Sequence, residues 1–357
     1  MIASIRQYSL CKGLSLIELM VAMVIGLLLL TGTASMFISN KRIYKEQDEM
    51  GRLQENARFA MQMLIEDIRM ASYTGCMDDI DEVTNGLAED ISASPIVTIT
   101  DAKLLSFTNG IEGLNDADPS NVANSPWEPS NGDEQVSTMV TDTDAITVRY
   151  LRPVGVSLAS AMGSPTSNIV LDNNTVGLAV GDLVGVTDCD STDIIQISAL
   201  SGTPAISHTV TGAPGNMSTS LSKAYTDEAE VARFVARRYY ISTGAAGFPS
   251  LFRIENNDAA VELIEGVENM QVLYGEDTTN DDTIADVYRD ADTVANWDNV
   301  VSLRIALLFM TTTTNVSNPI NDRDYDLVGV TYTAPSDRAR RRVVTNTIQI
   351  RNRSNQL

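Results

Sequence analysis

The most unusual reactive group near the start of the chain is the carboxylate of Glu18. It lies inside the apolar run KGLSLIELMVAMVIGLLLL, residues 12–30, just after Lys12 and Gly13. A charged side chain at the centre of a bilayer costs at least about 2.5 to 3.5 kcal/mol, so an acid in such a segment is a functional hypothesis by default. The sequence therefore predicts that Glu18 gains a compensating partner when the protein performs its function.

A second cluster of chemically active residues is the acidic run YGEDTTNDDTIADVYRDAD, residues 274–292. Asp277, Asp281 and Asp286 offer oxygen ligands at a spacing loosely like that of a calcium loop. However, Asp282 stands where such a loop has its glycine, and no glutamate closes it. The run is interpreted as a solvated hairpin loop, with calcium binding by the three aspartates as the alternative. No other cofactor is predicted.

The sequence offers little support for catalysis. Its single histidine, His208, lies in AISHTV and is predicted to be a solvated strand residue rather than a general base. No phosphate-binding glycine loop, G-x-S-x-G or H-E-x-x-H motif occurs. We therefore predict a protein that is not an enzyme. Because carboxylates are abundant, an acid pair for glycoside hydrolysis stays open, and the rival from a different class is a membrane-tethered carbohydrate-active enzyme of the envelope.

The charge balance argues against nucleic-acid binding. The 357 residues include 25 Lys and Arg against 47 Asp and Glu, a formal net charge of −22. Phosphate neutralisation needs clustered cations, so no nucleic-acid partner is predicted. The one basic cluster, Arg338, Arg340, Arg341 and Arg342, is interpreted as a charged turn that leads into a last strand.

A long helix must position Glu18. Residues 14–38 are almost all apolar or small, and this stretch exceeds the roughly 20 residues that span a bilayer. It is also longer than the apolar region of a signal peptide, about 7 to 15 residues, so it is interpreted as a retained membrane anchor. Arg6 and Lys12 precede it without any acid, which places the N-terminus in the cytoplasm and the head across the membrane.

The helical pattern continues beyond the anchor. The segment GRLQENARFAMQMLIEDIRMA has apolar residues three to four positions apart, and the first proline of the chain is Pro95. One helix from about Leu14 to about Ala71 is therefore predicted, with an amphipathic half at residues 39–75 that needs a body to pack against. The predicted apolar stripe consists of Leu53, Ala57, Ala60, Leu64 and Ile68.

The segment KGLSLIELMVAMVIG resembles the class III prepilin signal of type IV pilins and of type II secretion pseudopilins. The resemblance implies that residues 1–13 are a leader, that prepilin peptidase cuts between Gly13 and Leu14, and that the new amine of Leu14 is methylated. It also implies that Glu18 meets the N-terminal amine of a neighbouring subunit during assembly. An ion pair formed among packed helices would then offset the cost of burying Glu18.

The segment RLQENARFAMQMLIEDIRMASYTGC, residues 52–76, is similar to that of PilW-type minor pilins, and so are later blocks such as ARRYYIS, LIEGVENMQVLYGED and WDNVVSLRIALL. The resemblance implies a minor pilin of the inner membrane, with a periplasmic head, that later lies in the pilus near its tip. Its expected partners are other minor pilins, the major pilin and a PilY-type tip adhesin, and its role is to prime or cap assembly. The related J-type pseudopilin of type II secretion is the nearest alternative.

The cysteines agree with an envelope location. Cys11 lies in the predicted leader, which leaves Cys76 and Cys189 beyond the anchor. An even pair there indicates a disulfide in an oxidising compartment, with two free thiols as the alternative. The predicted bond would clip the end of the long helix to the head. A lone histidine cannot complete a Cys/His zinc set.

Short β-branched or aromatic runs separated by turn residues fill the predicted head, residues 76–357. The expected fold class is α+β and type IV pilin-like, with a mainly antiparallel β head packed on the amphipathic half of the helix. Leu53, Leu64 and Ile68 should be buried against the sheet. Residues 109–139 are interpreted as a long surface loop held to the head by Trp127.

Overall fold

The computed structural model describes most of the chain from Ser15 to Arg353. The described ranges are residues 15–77, 83–88, 104–105, 107, 109–116, 138–202, 204–212, 214–256, 258–279, 282–313, 316 and 320–353. Two compact units are present, Met1–Gly51 and Arg52–Leu357. The predicted leader, Gly13, Leu14, Asp281 and Trp127 lie outside the described residues. The predicted segment boundaries after residues 13, 38 and 75 stay predictions.

One long helix, α1, spans Leu16–Met70 and has 55 residues. It contains no proline, and its described bounds lie within two residues of those predicted. It ends where Ser72 takes a left-handed backbone conformation, with a φ of 65°. It is the one described helix that is long and apolar enough to cross a membrane.

In the second unit, residues 52–70 of α1 pack on β-sheets. Leu53, Leu64 and Ile68 are 4%, 0% and 0% exposed, which confirms the predicted apolar stripe. They join one core with side chains of the long strands, including Tyr239 and Leu303. The predicted α+β fold class, one long apolar helix with mostly antiparallel sheet, is confirmed.

Four sheets are present among the described residues. The largest has the order β1-β6-β5-β9-β10-β11, with β3 also paired to β9 and β2 to β3. A second has the order β13-β12-β14-β17, and the smaller ones are the hairpin β15-β16 and the set β4-β8-β7. Every pairing is antiparallel except β1 with β6. The strands are β1 Val83–Asn85, β2 Ile111–Leu114, β3 Ala145–Ser157, β4 Ile169–Val170, β5 Leu183–Thr187, β6 Thr192–Gln196, β7 Ala199–Ser201, β8 Ala205–Ser207, β9 Glu230–Thr243, β10 Pro249–Glu255, β11 Val261–Glu265, β12 Val267–Glu276, β13 Val287–Arg289, β14 Val300–Met310, β15 Asp324–Leu327, β16 Val330–Thr333 and β17 Arg341–Gln349.

The predicted loop at residues 109–139 is wrong at its start, where β2 forms a buried strand on β3. Gly113 makes this strand possible, because a Cβ there would lie 2.0 Å from the hydroxyl oxygen of Tyr274. A short strand with a central glycine has weak alternation, so its pattern resembles that of a loop.

The interpretation of His208 is also wrong. His208 is not solvated: it is 3% exposed, and its Nε2 lies 3.0 Å from the carbonyl oxygen of Ser167. The basic cluster leads into the last described strand, since β17 begins at Arg341, and the side chain of this residue is buried. There it donates hydrogen bonds to the carboxylates of Glu268 and Asp337.

Candidate functional site

The N-terminal end of α1 places Glu18 in a local hydrogen-bond pair with Ser15. The backbone N–H of Ser15 donates to the Glu18 carboxylate at 3.0 Å, and the N–H of Glu18 lies 3.2 Å from the Ser15 hydroxyl oxygen. This reciprocal arrangement is a capping box, which satisfies two N–H groups that the first turn of a helix leaves free. The exposed carboxylate thus has a partner within its own chain.

This capping box lies next to the predicted processing site. Ser15 directly follows Leu14, the predicted N-terminus after cleavage, although Gly13 and Leu14 themselves are outside the described part. The spacing S-x-x-E, which is sufficient to predict a capping box, is visible in the sequence. Glu18 therefore has a local capping role besides its predicted role in assembly.

A buried carboxylate, Asp67, fastens the outer part of α1 to the largest sheet. It is 2% exposed and accepts three hydrogen bonds. Tyr150 donates from β3 at 3.0 Å, Arg237 donates from β9 at 2.7 Å, and the Tyr239 hydroxyl donates from β9 as well. Arg237 and Tyr239 alternate along β9, so both point to the helix face of the sheet.

Burial and charge determine which groups of this cluster donate hydrogen bonds and which accept them. Burial, and then the negative charge of Asp67, raises the pKa of both Tyr150 and Tyr239, so each hydroxyl keeps its proton and donates. Burial disfavours the charged form of Arg237, but the carboxylates of Asp67 and Glu255 outweigh it and raise its pKa. Breaking this buried ion pair is costly, because removing one partner leaves the other charge buried and unpaired.

The C-terminal end of α1 is held by residues from the last described segment. The side-chain amide of Asn352 donates to the carbonyl oxygens of Met70 and Ala71 at 3.2 and 3.1 Å. Arg353 donates to the Ser72 hydroxyl and to the backbone carbonyl of Asp298. The Asn352 amide thus supplies a donor to the Ala71 carbonyl just after the helix, and a second donor to the Met70 carbonyl, which also accepts the N–H of Tyr73.

The two cysteines beyond the anchor form the predicted disulfide. Cys76 follows the end of α1, and Cys189 lies in the turn between β5 and β6, with their Cα atoms 4.7 Å apart. The hydroxyl of Thr187 donates to the carbonyl of Thr74 at 3.2 Å beside this bond. The disulfide therefore clips the segment after the helix to a hairpin of the largest sheet, as predicted.

Two of the three predicted calcium ligands organise their own loop. Asp286 accepts hydrogen bonds from the backbone N–H groups of Thr278 and Thr279, both at 2.8 Å, and these bonds lower its pKa. Asp277 is buried and accepts from the N–H of Thr283 at 2.8 Å. Among the described residues, which exclude Asp281, no three acidic, histidine or cysteine side chains could hold a metal ion. Calcium binding stays a prediction.

A second buried acid, Asp144, is the group with the clearest pH response. Its carboxylate accepts from the N–H groups of Val272 at 2.7 Å and Asp116 at 3.0 Å. Burial raises its pKa to about 7, although the two N–H donors lower it. Asp144 thus links the start of β3 to β12 with a carboxyl group that gains a proton near neutral pH.

We expect the stability of the second unit to fall as the pH rises from about 4 to 7. In this window the folded state holds a proton on Asp144 that the unfolded chain, with a carboxyl pKa near 3.8, has lost. The stabilisation is complete below the unfolded value and disappears above about 7. Asp144→Asn should flatten the profile of unfolding free energy against pH by a few kcal/mol, on the order of 1.4 kcal/mol for each unit of pKa shift. Urea unfolding at a series of pH values measures it.

Asp142→Asn is the matched control, because Asp142 is an exposed neighbour of the same chemistry. Its profile should follow that of the unmodified protein. Equal slopes for Asp144→Asn and the unmodified protein would contradict a folded-state pKa near 7.

Two models of known protein families match parts of this chain. A model of the prokaryotic N-terminal methylation motif matches residues 8–34, which include Gly13, Leu14 and Glu18. This prepilin-type motif, together with the apolar helix, indicates a membrane-anchored pilin.

The second family model names a more specific group of proteins. It is described as type IV pilus-assembly protein W and matches residues 238–352. The resemblance to PilW-type proteins of type IV pili is therefore confirmed. Among solved structures, a type IV-like pilin from Thermus thermophilus matches at 11% identity with a TM-score of 0.26, over 60% of this chain and 80% of that chain. A search of curated proteins finds no significant match.

Proposed function

We propose that this protein is a minor type IV pilin that assembles with other minor pilins to prime or cap the filament, without enzymatic activity. The observation that carries the proposal is the position of Glu18. It lies in the first turn of an exposed apolar helix, within a matched methylation motif, in a chain that also matches PilW. A pilin subunit needs a helix that can leave the bilayer and pack among other helices.

The capping box gives this proposal a mechanism. In the isolated chain the Glu18 carboxylate accepts the N–H of Ser15, so the acid has a hydrogen-bond partner before assembly. Cleavage after Gly13 creates a charged amine on Leu14 of each subunit. During assembly the carboxylate exchanges its local N–H for the amine of a neighbouring subunit, because a charged donor binds a carboxylate more strongly than a neutral one does.

The proposal includes location and partners. The anchor inserts in the inner membrane with the head in the periplasm, and assembly moves the subunit into the pilus near its tip. The partners are prepilin peptidase, other minor pilins, the major pilin and a PilY-type tip adhesin. The pilus-family match and the membrane-spanning length of α1 support this assignment.

Complementation of a deletion strain tests the proposal. Gly13→Ala should abolish leader cleavage, measured by mass, and surface pili, counted by electron microscopy. Glu18→Ala should be processed but not assembled. Glu55→Ala is the control, because Glu55 is an exposed acid further along the same helix and should leave pili intact.

Ser15→Ala tests the side-chain half of the capping box alone. It removes the hydroxyl that pairs with the Glu18 N–H but leaves the carboxylate in place, so piliation should persist. Normal pili in the Glu18→Ala strain would refute the proposal. If protein export failed in that strain instead, the J-type pseudopilin would be the better assignment, and intact export with intact pili would favour an envelope enzyme.

A further inference from the structure

A groove of about 540 Å³ runs between residues 52–70 of α1 and strand β17. Its floor is apolar and consists of Ala57, Met61 and Ile65, which lie four residues apart and so share one face of the helix. Ala57 and Met61 are 4% and 5% exposed, so most of the accessible apolar surface of the floor belongs to the partly buried Ile65. The opposite wall of the groove is formed by β17 and consists of Arg342, Val344 and Asn346. These residues alternate along the strand and so share one of its faces. Both sides of the groove belong to the second compact unit.

The charge of this groove is opposite to that of the protein. Its charged lining residues are Arg58 from the helix and Arg342 from the strand, and no acid lines it, although the chain has a net charge of −22. Neither guanidinium forms an ion pair with any described residue, and Arg58 lies over the ring of Phe59 at 4.9 Å. Two unpaired cations beside an apolar floor favour an occupant that combines carboxylates with apolar side chains.

The edge of β17 adds a main-chain recognition surface. Within the described part of the chain, β17 pairs only with β14. The N–H of Thr311 donates to the carbonyl of Arg340, and the N–H of Ile350 donates to the carbonyl of Val301. At the even-numbered positions of β17, the backbone N–H and C=O groups therefore face β14. At the odd-numbered positions, the backbone N–H and C=O groups point away from β14. These positions include Val343, Thr345 and Thr347.

We propose that this groove binds an extended segment of a partner protein as an added strand on β17, with apolar side chains on the floor and carboxylates on Arg58 and Arg342. Outward backbone groups supply the main-chain hydrogen bonds, and the groove selects the alternate side chains, as in other cases of β-strand addition. The occupant is thus an acidic, β-prone segment of another chain. This inference concerns the second unit alone and does not require filament assembly.

The test uses the full chain in detergent micelles and a fluorescent peptide, Glu-Thr-Val-Thr-Val-Thr-Val-Thr-Glu, which presents valines between two glutamates on one face. Fluorescence anisotropy measures binding. A peptide in which both glutamates are lysines should bind much more weakly. Arg58→Glu and Arg342→Glu should each weaken binding of the acidic peptide about tenfold, since each reverses the charge of an ion-pair partner.

Arg323→Glu is the matched control, because Arg323 is exposed and lies outside the groove. It should leave binding unchanged. Thr345→Pro tests strand addition directly: it removes one outward N–H without removing a bond to β14, which an edge strand tolerates. It should weaken binding while the melting temperature stays close to that of the unmodified protein.

Absence of binding, or equal weakening by Arg342→Glu and Arg323→Glu, would overturn the inference. Full binding by Thr345→Pro would overturn strand addition. These outcomes are independent of piliation, so a failure here is distinct from a failure of the proposed pilin function.

Discussion

Asp67→Ala is expected to lower the free energy of unfolding of the second unit by about 3 to 5 kcal/mol, because it removes one partner of a buried charge pair. Arg237 loses its 2.7 Å contact with the Asp67 carboxylate, and the hydroxyls of Tyr150 and Tyr239 lose their acceptor. This total includes the desolvation penalty of buried donors left without a partner, about 1 to 3 kcal/mol each, so the loss is larger than that of a typical surface substitution. Urea unfolding measures it.

Glu66→Ala provides a matched control for this substitution. Glu66 is the preceding residue of the same helix and is exposed, so its replacement should change stability by less than about 0.5 kcal/mol. Asp67→Asn should give an intermediate loss, because an amide oxygen still accepts hydrogen bonds but carries no charge for Arg237. An Asp67→Ala protein as stable as Glu66→Ala would show that the cluster contributes nothing to the attachment of the helix.

Replacing both Cys76 and Cys189 with serine is expected to cost as much as about 4.7 kcal/mol, the chain-entropy value for a closed loop of about 100 residues. The two cysteines are 113 residues apart in the sequence, so their bond removes a large part of the freedom of the unfolded chain. The neighbouring hydrogen bond from Thr187 to Thr74 should still position the segment, so the fold should be retained with a lower melting temperature. Differential scanning calorimetry gives the difference.

The remaining cysteine supplies the control. In the unprocessed chain, Cys11→Ser removes a thiol that the disulfide does not use, and it should leave the melting temperature unchanged. A reducing agent should bring the unmodified protein to the stability of the double serine variant and should not affect that variant further. A melting temperature insensitive to reduction would contradict a stabilising role for the bond.

Periodicity in the sequence predicts the helix and its buried stripe well. Leu53, Leu64 and Ile68 recur at helical spacing, and apolar repetition needs no knowledge of the partner surface. The long strands are predicted for the same reason, since β-branched and aromatic runs between turn residues are local signals. The disulfide follows from counting cysteines on one side of the anchor.

The buried polar contacts could not be predicted in this way. Asp67 follows Glu66 in a helical segment rich in charges. Glu66 is exposed and Asp67 is buried, but nothing in the sequence distinguishes the two acids. The partners of Asp67 lie 83, 170 and 172 residues away, so only the folded sheet brings them together. The burial of Arg341 is hidden from the sequence for the same reason, because its partner Glu268 is 73 residues distant.

The position of the disulfide also determines how tension passes through the molecule. In the filament that we propose, a pull along the helix reaches residue 76, and from there the covalent path to residue 189 can run through the two sulfur atoms rather than along the main chain. When the opposing force acts beyond residue 189, this covalent path bypasses residues 77–188, which include strands β1 to β5. The region matched to the PilW family, residues 238–352, remains on the loaded side. The disulfide thus gives tension a covalent route around this segment, in parallel with hydrogen bonds such as that from Tyr150 of β3 to Asp67 of the helix.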